Sequence, residues 1–187
     1  MTATRERDEW LMAQVARGQR SQLEPLVRRY SGPLLTFIQR MVQDRHRGEE
    51  LFQDVFVAVW SKRRQYQFPR PFKPWLYAIA INKCRGHLRT KVLPVAFSLD
   101  AGEHGWVPAG SGPLPGESAV ATETAVHVLN AVAELPPRQR AVVVLRIWSE
   151  LSYAEIADAL ASTEGTVRSH MHHGLAAMRR YLEPRLR

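Results

Sequence analysis

From Val55 to Leu99 the chain carries no carboxylate, yet it holds Lys62, Arg63, Arg64, Arg70, Lys73, Lys83, Arg85, Arg89 and Lys91. Among those cations stand Phe56, Trp60, Tyr66, Phe68, Phe72, Trp75 and Tyr77. Cations release the counterions of a phosphate backbone, and aromatic faces stack on unpaired bases, so the mixture suits single-stranded nucleic acid better than duplex. The same residues would also make a basic solvated face over an ordinary aromatic core, and composition alone leaves both readings open.

Spacing sharpens the first reading. Between Trp75 and Thr90 the residues Leu76, Ile79, Ala80, Cys84 and Leu88 recur at helical intervals and predict a buried face. At about 100° per residue, Trp75, Asn82, Arg85 and Arg89 then share another face. A ring, an amide and two guanidiniums in one row could stack on, hydrogen-bond to and anchor a strand. Just upstream, Tyr66 to Pro74 contains Pro69, Pro71 and Pro74 and is expected to be a rigid non-helical loop. Phe68 in that loop could hold a base turned out of its stack, although Phe68, Phe72 and Trp75 could equally plug the core.

A second nucleic-acid signal lies downstream. Leu151 to His170 has helix-turn-helix spacing: Ile156, Ala157 and Leu160 form the inner face of a short helix, and Val167 and Met171 that of the next. Ser162 or Thr163 can cap the second helix, with Glu164 favourable in its first turn. Arg168, Ser169, His172 and His173 then point outward, where a recognition helix meets groove edges and phosphates. A plain helical hairpin is the alternative. His170 and His173 share a face, but no Cys or carboxylate joins them at ligand spacing, so no metal site is expected.

These groups need elements to position them, and almost all the sequence outside its middle reads as helix. The segment 48–64 carries Glu49, Glu50, Gln53 and Asp54 behind an apolar stripe. Acid there is unsuited to phosphate and suits a protein partner bearing Arg or Lys, unless it is only a solvated face near a helix N-terminus. Residues 92–121 contain four prolines and five glycines, with no Lys or Arg, and are expected to be a flexible acidic linker.

The 187 residues carry a formal net charge of +8, distributed unevenly. Residues 1–91 hold eighteen basic and eight acidic side chains, residues 92–124 none and four, and residues 125–187 eight and six. Separate modules and a polyanionic partner follow from that asymmetry. The single cysteine, Cys84, excludes an intrachain disulfide and reads as a small core residue. The charged N-terminus lacks a signal-peptide pattern, no apolar run suffices to cross a bilayer, and a cytoplasmic location is expected.

In this order the parts resemble bacterial sigma factors of the sigma-70 family. Asp44 to Trp60 resembles their core-polymerase-binding helix, Phe72 to Arg89 their strand-opening helix for the minus-10 element, and Glu134 to Arg140 with Leu151 to Ser169 their minus-35 reader. Two such modules and a short linker are most similar to the extracytoplasmic-function (ECF) group. The resemblance implies an all-α fold: a four-helix N-terminal domain over residues 1–91, a linker over 92–121 and a helix-turn-helix domain over 122–187.

It also implies the partners: core RNA polymerase, promoter DNA and an anti-sigma factor. No cofactor, metal, membrane insertion or catalysis by this chain is implied. Glu50, Leu51, Gln53, Asp54 and Phe56 would dock or support docking on the polymerase. Phe68, Trp75, Asn82, Arg85 and Arg89 would handle the opened strand, with Asn82 reading a flipped base. Arg168, Ser169, His172 and His173 would face the minus-35 duplex.

The sequence departs from the family at Gly86, Ile81 and Ala161, and at His170, His173, Leu175, Ala176 and Ala177, where fewer basic residues imply weaker phosphate anchoring downstream. A stand-alone helix-turn-helix regulator is the alternative, but it leaves the aromatic-basic segment without a task. A nucleic-acid enzyme would need paired carboxylates, a phosphate loop or a triad, and none is placed for chemistry.

Overall fold

The structure, a computed structural model, describes residues 2–91 and 122–185, with side chains placed over 7–89 and 123–185. The expected linker lies outside the described residues. Eight helices follow in order: α1 Thr2–Ala16, α2 Leu23–Val42, α3 Arg45–Ser61, α4 Phe72–Lys91, α5 Thr122–Ala133, α6 Pro137–Ile147, α7 Tyr153–Leu160 and α8 Glu164–Leu182. Short 3-10 turns occupy Arg20–Gln22 and Arg63–Gln65, and no strand occurs among the described residues. The fold is all-α, as expected.

Helices α1 to α4 share one core. On α2 the residues Leu26, Tyr30, Leu34, Phe37, Ile38 and Met41 recur at three- and four-residue intervals, and all are buried. Gln43 ends α2 in the left-handed conformation, and Asp44 immediately caps α3 by accepting the Arg47 N–H at 3.0 Å. Helix α4 buries Leu76, Tyr77, Ile79, Ala80, Ile81 and Cys84, close to the expected face. Its start corrects one expectation. Pro74 belongs to the first turn of α4, where a missing N–H costs little, so the non-helical loop ends at Pro71.

Helices α5 to α8 make the second unit. Pro137 opens α6 at its first helical position, and α7 begins with a reciprocal capping box between Ser152 and Glu155. Thr163, of the two candidates, caps α8 by accepting the Thr166 N–H at 3.2 Å. Ile156, Ala157, Val167 and Met171 are buried where the helix-turn-helix pattern puts them. Gly174 lets α8 approach α6: a Cβ there would come within 2.9 Å of Val143 Cγ2.

The two units pack together, α4 against α7 and α2 against α5 and α6. Arg140, 1% exposed, fastens them. Its guanidinium donates to Val132 O at 3.2 Å, Leu135 O at 2.9 Å and Ala133 O, closing the α5–α6 turn. The same group donates to Met41 O of α2 at 3.0 Å. Arg40 stacks over the Trp148 ring at 4.1 Å, and Arg70 pairs with Asp158 at 2.9 Å. A buried cation is tolerated only when its donors are satisfied, and here carbonyl oxygens from both units do so.

Ala161, the turn between α7 and α8, has φ 50 and ψ 52. That is the positive-φ position the family often fills with Gly, and an L-residue there is strained. Ala161→Gly is expected to raise unfolding stability by about 0.5–1 kcal/mol, the relieved strain outweighing the entropy Gly adds to the unfolded chain. The urea unfolding midpoint measures it; an unchanged or lower midpoint would show no strain at this turn.

Candidate nucleic-acid and polymerase interfaces

Helix α4 presents Asn82, Arg85 and Arg89 on its exposed side, and the chain does not turn them inward. Phe68 projects from the loop before α4 and is 59% exposed. Trp75, the fifth member of the expected strand-handling set, is not with them. It is buried at 9%, with its ring edge-on to Tyr66 at 5.3 Å and 6.1 Å from Phe72. Three aromatics from one loop and one helix turn fill the same pocket, so Trp75 supports the loop from beneath instead of offering a face to a base.

Arg85 feels the second unit. Its guanidinium is lowered from its ordinary range first by burial and second by Arg138 of α6. Cations of the two units therefore lie near enough to repel, a repulsion that an anion would relieve. Tyr77 of α4 also meets this seam: burial pushes its hydroxyl up to about 12, with Ser149 of the α6–α7 turn pulling the other way. Cys84 is raised to about 12 by burial and behaves as the inert core residue expected of it.

The acidic patch on α3 is present but braced. Arg45 pairs with Glu49 at 3.3 Å and Arg47 with Glu50. Lys83 of α4 reaches Asp54 at 3.3 Å, tying the docking candidate to the strand-handling helix. Gln53 and Asp54 are exposed. Leu51 and Phe56 are buried at 3% and 9%, so they hold α3 from within and do not themselves form its outer surface. Sequence reasoning missed Val57, 67% exposed, which continues the Glu50, Gln53, Asp54 face by one turn. The helical interval from Gln53 was the available signal; Val57 fell outside both the apolar stripe and the acidic patch.

On α8, Arg168, Ser169, His172 and His173 are all exposed. Arg168 is held ready: it pairs with Glu164 at 3.2 Å and stacks over Tyr153 at 4.4 Å. The His172 and His173 rings meet edge-on at 5.6 Å. His170 is half-buried beside α6, and its pKa is lowered by burial first, then by Arg138 and His173.

Comparison with known proteins joins these surfaces to a family. Residues 26–92 match the family model described as sigma-70 region 2, and residues 126–178 match sigma-70 region 4. The RNA polymerase sigma-E factor of Streptomyces avermitilis is 30% identical over 91% of this chain and 90% of its own length. The chain is a sigma factor of the sigma-70 family. Its ECF membership agrees with 28% identity to the ECF RNA polymerase sigma factor SigW of Bacillus subtilis, over 90% of this chain and 93% of that one. CnrH, solved in complex with the cytosolic domain of CnrY, shares the fold with a TM-score of 0.73 at 24% identity, covering 96% of this chain and 99% of that one. No described helix is long and apolar enough to cross a membrane.

His170 makes this sigma factor sensitive to acid. A depressed folded-state pKa means the unfolded chain binds the proton more readily, so stability is retained above the unfolded value of about 6.5 and falls as pH drops below it. Between pH 7 and pH 5, His170→Gln is expected to flatten the decline in unfolding free energy relative to the parent. Parallel declines in the two proteins would show that His170 does not contribute.

Proposed function

We propose that this sigma factor directs core RNA polymerase to its promoters and assists strand opening, without catalysis of its own, in the cytoplasm. Residues 1–91 bind core polymerase through the outer face of α3 and manage the opened minus-10 strand through α4. Residues 122–187 read the minus-35 duplex through α8. The observation that carries this reading is the exposed row of Asn82, Arg85 and Arg89 on α4, beside exposed Phe68, in a chain that also presents a recognition helix. Asn82 reads a base, the two arginines anchor the backbone, and Phe68 offers the stacking face, with Trp75 beneath as support.

The packing of α4 on α7 sets a condition on this work. Elements centred near minus 10 and minus 35 lie about 25 base pairs apart, roughly 85 Å along B-form DNA. Readers carried on units packed this closely cannot occupy both, so the units separate when the promoter is engaged. Thirty residues, 92–121, join α4 to α5, and a chain of that length reaches at most about 100 Å. Separation therefore stays within reach of the covalent connection. An anti-sigma factor that favours the packed arrangement would keep the protein silent.

The stand-alone regulator reading gains no observation of its own. It provides no use for the α4 row or for the patch of Gln53, Asp54 and Val57.

Combined Asn82→Ala, Arg85→Ala and Arg89→Ala substitutions are expected to leave core binding within about threefold and to cut open-complex formation at least a hundredfold, since each charged or bidentate contact contributes about 1–3 kcal/mol. Permanganate reactivity of unpaired thymines at the promoter start region reads the opening. Undiminished reactivity would remove α4 from strand handling.

A further inference from the structure

Helix α4 has a structural need that its own neighbours in sequence cannot meet. The residue before it is Pro71, which has no side-chain acceptor, so the local N-cap that most helices use is absent. The Phe72 N–H at the head of the helix finds its acceptor in Glu9 of α1, at 3.0 Å. Glu9 is 6% exposed and its neighbour Asp8 only 3%. Buried carboxylates are costly unless their hydrogen bonds do something the fold requires.

The pair divides its attention between two helices. Asp8 binds Arg29 and accepts the Tyr30 hydroxyl at 2.8 Å, fixing α1 on α2. Glu9 fixes α1 on α4, and the Tyr30 and Phe72 rings meet edge-on at 5.4 Å between the two attachments. Phe72 is fully buried at this junction. Glu9 also bears on the aromatic loop. It acts with burial to raise the Tyr66 hydroxyl well above the ordinary phenol range, so Tyr66 remains the donor that holds Arg70 O. Phe68 sits inside the loop closed by that bond.

We propose that Glu9 is a positioning residue for strand opening: by capping α4 at Phe72 it fixes where that helix starts, and hence where Asn82, Arg85, Arg89 and the Phe68 loop point. This rests on the strand-handling role proposed for α4. The lever is the first turn. Without its acceptor that turn frays, which loosens the Phe68 loop joined to it and the hold of α1 on the helix that carries the Asn82 row. A carboxylate also adds favourable charge at a helix N-terminus. Residues 26–92 match sigma-70 region 2, so α1 with Asp8 and Glu9 lies outside the stretch that family match covers.

The test uses full-length Glu9→Gln and Glu9→Asp in reconstituted holoenzyme. Gln keeps an oxygen acceptor at the same reach without charge, whereas Asp keeps the charge and withdraws the acceptor by one methylene. Core affinity, opening of a duplex promoter and transcription from a pre-melted promoter are measured for each. Glu9→Gln is expected to open duplex within about threefold of the parent. Glu9→Asp is expected to slow it on the order of tenfold, the worth of one cap hydrogen bond, with core affinity and pre-melted transcription near normal.

Equal opening by parent and Glu9→Asp overturns the proposal. So does a Glu9→Gln defect as large as that of Glu9→Asp, or a Glu9→Asp loss that extends equally to core affinity and pre-melted templates, because that pattern belongs to general destabilisation. Failure of the parent itself to open the promoter with core enzyme would instead defeat the function proposed above.

Discussion

The Arg140 guanidinium joins four backbone carbonyls that no other side chain is seen to bring together. Val132 and Ala133 end α5 and Leu135 lies in the turn that follows; the fourth, Met41, belongs to the end of α2. Carbonyls near helix C-terminal ends carry partial negative charge and lack intrahelical donors, so one planar cation serves both helix ends at once. Burial lowers Arg140 to about 10, with Glu134 opposing, yet at neutral pH it remains charged and the bonds remain charge-assisted. Because α5 and α6 carry α7 and α8, the placement of the recognition helix relative to α2 follows from this one side chain.

The seam it closes also brings like charges near one another. Burial first and Arg138 second lower the pKa of both Arg85 and His170, with His173 adding to the effect on His170. Bonds at Met41 and Asp158 and the Arg40–Trp148 stack hold the seam shut, while like charges push against it. Phosphate bound between Arg85 and Arg138 would remove that repulsion, so like charge does not by itself open the seam; the separation proposed above has to come from the spacing of the two promoter elements.

Much of this was legible in the sequence, for reasons that are local. Three-and-four spacing of apolar residues on α2 and α4 found the helices, and the spacing of Ile156, Ala157, Val167 and Met171 with a cap at Ser162 or Thr163 found the helix-turn-helix. The outward row of Asn82, Arg85 and Arg89 followed from the same 100° rule. Trp75 did not, because that rule gives direction around one helix and cannot see the loop that folds back with Tyr66 to cover it. Leu51 and Phe56 were read from the resemblance as docking on the polymerase or supporting docking, and their burial leaves them the supporting part; Val57 lay outside both the apolar stripe and the acidic patch and was passed over. Glu9 and Arg140 were beyond local reading altogether. Their partners are a backbone N–H 63 residues away and a carbonyl 99 residues away, and backbone groups leave no mark in residue type.

The central claim is that one seam, clasped by Arg140, keeps the two DNA-contacting helices together until the promoter separates them. Spin labels on the exposed positions Lys62, just after α3, and Arg180 of α8 report that separation directly by pulsed dipolar spectroscopy. The account predicts a single short distance in the free protein, lengthening by tens of ångströms in a complex with core polymerase and promoter, on the order of the spacing between the two DNA elements. A complex that initiates transcripts while the free-protein distance persists would contradict it.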